Sequence, residues 1–179
     1  MSDETLELQD LQVNCPKVSV PLSQFARPFL IDPGAFQKSL QHPLLVWESP
    51  PVVMDGVART YEGVPWDRPT ASEPLVFVVR QGRARSHRSI VLGRSLECDI
   101  SLQDESVSAE HAGLQYQEGT RSWWLIDNTS KNGTWLGPKK LEARAWTELP
   151  DRSKLKFGHT ELLFFLPGSF VDYLVVRSG

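Results

Sequence analysis

In the stretch VSAEHAGL, residues 107–114, Ser108 precedes His111 by three positions. A hydroxyl beside an imidazole is the start of a nucleophile and base pair. Acyl transfer also needs a third group to orient the base, and an oxyanion hole. The chain has no G-x-S-x-G elbow, and choosing Asp104 or Asp127 as the third group would be arbitrary. P-loop, H-E-x-x-H and G-x-G-x-x-G patterns are absent too, so no catalytic residue is assigned.

The elements that must hold this pair divide the chain into two kinds of material. With 179 residues and 40% hydrophobic content, it can bury one good core, or one core with a decorated arm. The net charge of −3 lacks the basic excess expected of whole-chain nucleic-acid binding. Ten of the thirteen prolines fall in residues 1–74, a composition that disfavours long helices and central strands. Within that arm, Asp32-Pro33 offers an N-cap followed by proline at the first helical position. Phe36 and Leu40 then share a face before Pro43, which predicts a helix of about two turns. The arm is apolar enough to dock on the second half or on a partner, and residues 48–74 read as a linker with turns.

From Leu75 the texture changes to short β-rich runs between turn residues: LVFVVR, SIVLG, ISL, AGLQY, WWLID, TWLG, LKFG and ELLFFL. Many short strands with close turn signals predict an all-β sandwich. The tail, residues 168–179, reads as a short helix or strand. Ser169 with Asp172 three residues on favours a helix capped at Ser169.

Three polar loop motifs lie beside the strand ends in a fixed order: Gly93-Arg94-Ser95, Ser108-Ala109-Glu110-His111 and Asn128-Thr129-Ser130-Lys131-Asn132-Gly133-Thr134. With LGRS, DISLQDESVSAEHAGL, WWLIDNTSKNGTWL and LPDRSKLKFGHTELLFF, residues 75–167 closely resemble the forkhead-associated (FHA) domain, a phosphothreonine-binding β-sandwich of about eleven strands. The resemblance implies a phosphopeptide site made by Arg94, Ser108, Lys131 and Asn132, supported by Gly93, His111 and Gly133. A phosphothreonine carries a charge of about −1.5 to −2 and three strong acceptor oxygens. The planar fork of Arg94 suits two of them, and Gly93 before it would let the backbone turn tightly at the strand end. The family pattern gives Ser108 a hydroxyl donated to phosphate, Lys131 a supporting cation, Asn132 a grip on the peptide backbone and His111 a structural tie. Ala109 departs from that pattern, which often has arginine or asparagine there, so one polar contact is missing.

The implied function is non-enzymatic: an adaptor in Ser/Thr kinase signalling whose partner is a phosphothreonine protein or peptide. A phosphate-independent scaffold using the sandwich and the arm as contact surfaces is the alternative. Thr5, among acids and with Leu8 three residues on, would let the arm bind its own domain once phosphorylated; Thr60 and Thr70 are weaker candidates. No metal, cofactor, nucleic acid or membrane partner is implied. The acidic start lacks signal-peptide character and the apolar runs are too short to span a bilayer, so a cytoplasmic location is expected, with Cys15 and Cys98 unpaired and two glycosylation sequons silent. RQGRARSHR, residues 80–88, reads as a solvated connection, and Trp123, Trp124, Trp135 and Trp146 as packing residues.

Overall fold

The computed structural model describes residues 19–50, 53–54, 57–58, 73–80 and 89–178. In chain order the first half holds strand β1 (Val20–Pro21), helices α1 (Leu22–Ile31) and α2 (Pro33–Ser39), and strands β2 (Leu44–Trp47), β3 (Val53–Met54) and β4 (Val57–Ala58). Then come β5 (Leu75–Val78), β6 (Ile90–Gly93), β7 (Ile100–Ser101), β8 (Ala112–Gln117) and β9 (Ser122–Asp127). The chain continues with β10 (Thr134–Leu136), β11 (Lys139–Lys140), β12 (Thr147–Leu149), β13 (Ser153–Phe157), β14 (Thr160–Phe165) and helix α3 (Pro167–Ser178). Cys15, Thr5, Thr60, Thr70 and the arginine-rich residues 81–88 lie outside the described residues.

Two sheets face each other as an all-β sandwich. A seven-stranded sheet runs β1-β5-β2-β14-β13-β10-β11 and a five-stranded sheet runs β12-β9-β8-β6-β7; among the described strands, β6 and β7 pair in parallel and the other neighbours antiparallel. Strand alternation sends one set of side chains into the space between the sheets. Leu45, Phe77, Leu92, Leu114, Leu125, Leu155, Phe157 and Phe164 meet there and are buried.

The proline-rich arm does build a central strand, contrary to expectation. β2 lies between β5 and β14, with Leu45 opposite Phe77 and Phe164. The reason is that both faces of this strand are covered. Leu45 and Trp47 enter the core between the sheets, while Leu44 and Val46 join a second core with Leu22, Phe25, Phe29, Phe36, Phe165, Phe170 and Leu174 from the three helices and β14. No proline falls inside Leu44–Trp47, so its ladder is intact.

Helix α2 forms as the sequence predicts: the Asp32 side chain accepts the Ala35 N–H at 2.9 Å, Pro33 occupies the first position, and Phe36 is buried. Helix α1 carries Pro28 in its interior and buries Leu22, Phe25 and Phe29 on one face. The tail is a helix of twelve residues that begins three positions earlier than the Ser169 cap would place it. Asp151 fixes that start from the turn between β12 and β13: its carboxylate accepts the Leu166 N–H at 2.7 Å and the Ser169 hydroxyl. At the other end of the helix, Glu48 accepts hydrogen bonds from Tyr173 and Arg177.

Candidate functional site

Hydrogen bonds join all three loop motifs. Arg94 donates its N–H to the Ser108 carbonyl at 2.9 Å, and its own carbonyl accepts from Gln103 Nε2 at 3.1 Å. The backbone of Arg94 is thereby fixed while its guanidinium stands exposed, without a partner among the described residues. Gly93 is required for a reason other than a tight turn. A Cβ at this position would lie 2.2 Å from the Ala109 carbonyl oxygen, so glycine allows the loop carrying Ser108 to press against the end of β6.

Ser108 sits half-buried, and its Oγ accepts the Lys131 N–H at 3.0 Å. With a lone pair so engaged, the hydroxyl hydrogen is left to donate outward. Lys131 contributes its backbone to this arrangement, and its side chain is exposed. Asn132 donates from Nδ2 to the Ser106 carbonyl at 2.7 Å, which fixes the amide orientation and leaves Oδ1 as an acceptor for a ligand.

His111 is fully buried, and both ring nitrogens are engaged by backbone. Nδ1 accepts the Ser108 N–H at 2.9 Å, and Nε2 lies 2.9 Å from the Gly133 carbonyl. An amide N–H can only donate and a carbonyl can only accept, so the ring must be neutral with its proton on Nε2. Burial holds His111 below its ordinary range, against smaller upward effects of the Gly133 carbonyl and Asp127. Neither nitrogen is available as a base for the Ser108 hydroxyl. The pair that resembles a nucleophile and its base is a clamp between two loops.

The third loop is organised by Asp127, at the end of β9. Its carboxylate accepts the Ser130 hydroxyl at 2.5 Å, the Ser130 N–H at 3.1 Å and the Thr134 hydroxyl at 2.6 Å. Burial pushes this carboxyl up, and those hydrogen bonds with the charge interaction from His111 outweigh it, so the net displacement is downward. The Ser130 Oγ in turn accepts the Gly133 N–H at 3.0 Å, and Gly133 adopts φ +89, a left-handed conformation that suits glycine. The third residues of the two sequons, Asn128-Thr129-Ser130 and Asn132-Gly133-Thr134, thus both serve this carboxylate.

Sequence reasoning missed Asp127, Ser130, Thr134 and Ser106 as site supports. A carboxylate three residues before one hydroxyl and seven before another is a loop-organising signal that could have found three of them. Ser106 was not legible in this way, because its role comes from distant partners: its carbonyl takes Asn132 and its hydroxyl takes the His159 N–H at 2.9 Å.

Residues 90–158 match the family model of the FHA domain. The human nuclear inhibitor of protein phosphatase 1 is 36% identical over 61 residues, covering 34% of this chain and 17% of that protein. Human Kanadaptin is 26% identical over 182 residues, covering 92% of this chain and 23% of that protein. Among solved structures, the N-terminal FHA domain of Saccharomyces cerevisiae Rad53p in complex with a phosphothreonine peptide has a TM-score of 0.44 at 21% identity, over 54% of this chain and 88% of that one. The chain therefore spans about a fifth of the length of these curated relatives.

Proposed function

Because residues 90–158 match the family model of the FHA domain, we propose that this chain binds phosphothreonine peptides as a non-enzymatic adaptor in Ser/Thr kinase signalling. The observation that carries this reading is the pairing of Arg94 and Ser108. The exposed guanidinium and the outward hydroxyl are anchored to one another through the Arg94 N–H and the Ser108 carbonyl. A phosphoryl group placed there receives charge-assisted donors in a fixed geometry, each contributing about 1.5–3 kcal/mol. Asn132, tied back to Ser106, offers its remaining amide atoms to the peptide backbone, and Lys131 adds a flexible positive charge.

An FHA domain at 75–167, a tail at 168–179, and an arm and linker at 1–74 that lends β2 to the domain's seven-stranded sheet belong to this proposal. So does a cytoplasmic location. Among the described residues, no helix is long and apolar enough to cross a membrane. Self-recognition through a phosphorylated Thr5 is a special case of the same site chemistry.

The test is fluorescence-polarisation binding to degenerate peptide libraries carrying phosphothreonine, phosphoserine or unmodified threonine. Binding only to the phosphothreonine set supports the reading. Equal binding to unmodified peptides would instead favour a phosphate-independent scaffold.

A further inference from the structure

Trp135 directly follows the third site loop. Thr134 is buried and Leu136 packs against the core, so strand alternation puts the indole on the outer face of the seven-stranded sheet. Its cross-strand partners are both lysines: Lys140 on β11 and Lys156 on β13. Their ammonium groups lie 5.2 Å and 5.0 Å from the ring centroid, so one indole holds two cations.

Lys140 also reaches the site loop itself. A Cβ on Gly133 would lie 2.6 Å from Lys140 Cε and 3.2 Å from its Nζ, so the absent side chain makes room for the ammonium beside the Asn132-Gly133 turn. Neither lysine forms an ion pair with a carboxylate among the described residues. Glu161, opposite Lys156 in the ladder, is engaged by Lys154 at 2.7 Å. Residues 131–140 contain three lysines and no acid. Contact with an indole face leaves the positive charge in place, and two cations flanking one indole from neighbouring strands raise the local positive potential above that of either alone.

We propose that Lys140 and Lys156, held on Trp135, form a second anionic subsite that takes an acidic or phosphorylated side chain of the peptide whose phosphothreonine sits at Arg94 and Ser108. The subsite rests on the phosphothreonine reading and extends it to partner choice. Continuity with the Lys131–Thr134 loop favours a peptide over a nucleic acid, which would need no phosphothreonine site beside it.

The experiment compares three phosphothreonine peptides, with neutral flanks, with glutamates on either side, and with a second phosphoserine on either side. Each is titrated into the full chain, the double variant Lys140→Ala/Lys156→Ala, and the charge-preserving Lys140→Arg/Lys156→Arg. The wild type should prefer the anionic peptides about three- to tenfold, the alanine variant should lose that preference while keeping its neutral-peptide affinity within about twofold, and the arginine variant should retain it. Glutamate and phosphoserine arms separate the two anion sources. The proposal is overturned by equal wild-type affinity for neutral and anionic peptides, by a preference that survives the alanine pair, or by lysine-dependent binding of a single-stranded oligonucleotide with no effect on peptides. Failure of the wild type to bind even the neutral phosphothreonine peptide marks failure of the underlying reading.

Discussion

Replacing His111 with leucine, a residue of similar volume, isolates the two hydrogen bonds that clamp the site loops. The substitution leaves the Ser108 N–H and the Gly133 carbonyl without their imidazole partner in a fully buried setting. An unsatisfied buried backbone group costs about 1–3 kcal/mol, so the pair should cost about 2–6 kcal/mol. Set against a total stability of about 5–15 kcal/mol, that is a large fraction, and a chain of this size should lose roughly 4–24 °C in Tm. Urea unfolding at pH 7.5 reads the free energy directly. His111→Gln, which carries both an acceptor and a donor, should recover part of the loss. A His111→Leu protein within about 0.5 kcal/mol of wild type would refute the clamp. The same residue gives a pH signature. Its folded value is held below the ordinary 6.5 by burial, so the unfolded chain binds more protons. Its stabilisation is complete above pH 6.5 and is lost as pH falls below 6.5, with a slope of at most about 1.4 kcal/mol per pH unit. His42, lowered by burial and then by Arg80, acts in the same direction, so the His111→Leu comparison separates the two.

Gly93→Ala should weaken phosphopeptide binding although Arg94 is retained, and should cost about 1–3 kcal/mol in urea unfolding, because its Cβ meets the Ala109 carbonyl at 2.2 Å. Asp127→Asn replaces an acceptor of three hydrogen bonds with a group that must also donate, and about 3 kcal/mol of stability should be lost at neutral pH. In wild type, the stabilisation from Asp127 is present above the ordinary 3.8 and disappears as pH falls through its lower folded value, which acid titration followed by circular dichroism would detect. Leu45→Ala should destabilise the protein by about 2–5 kcal/mol in thermal or urea unfolding, since this arm residue is fully buried between the sheets.

What the sequence made legible was local. Asp32-Pro33 announced α2 because a cap and a first-turn proline act within four residues. The strand runs from Leu75 onward were legible from their composition and their turn signals. β2 was hidden for a physical reason: a strand covered on both faces has no alternation, and LLVW inside proline-rich surroundings reads as an apolar patch of an arm. The start of α3 was hidden because Asp151 caps it from another turn. At the site, the residue types and motif order of Arg94, Ser108 and His111 were visible. The close approach that demands Gly93, the Asn132 amide bond to Ser106 and the reach of Lys140 to Gly133 depend on segments brought together only by folding.

Isothermal titration of a phosphothreonine peptide selected from the library, into wild type and Arg94→Ala at one fixed ionic strength, tests phosphate recognition most directly. Because Arg94 is exposed and its backbone is held independently of its guanidinium, the variant should remain folded. Loss of one charge-assisted contact worth about 1.5–3 kcal/mol should raise Kd about 10- to 150-fold. An unchanged Kd in a folded Arg94→Ala protein would contradict the assignment of this site.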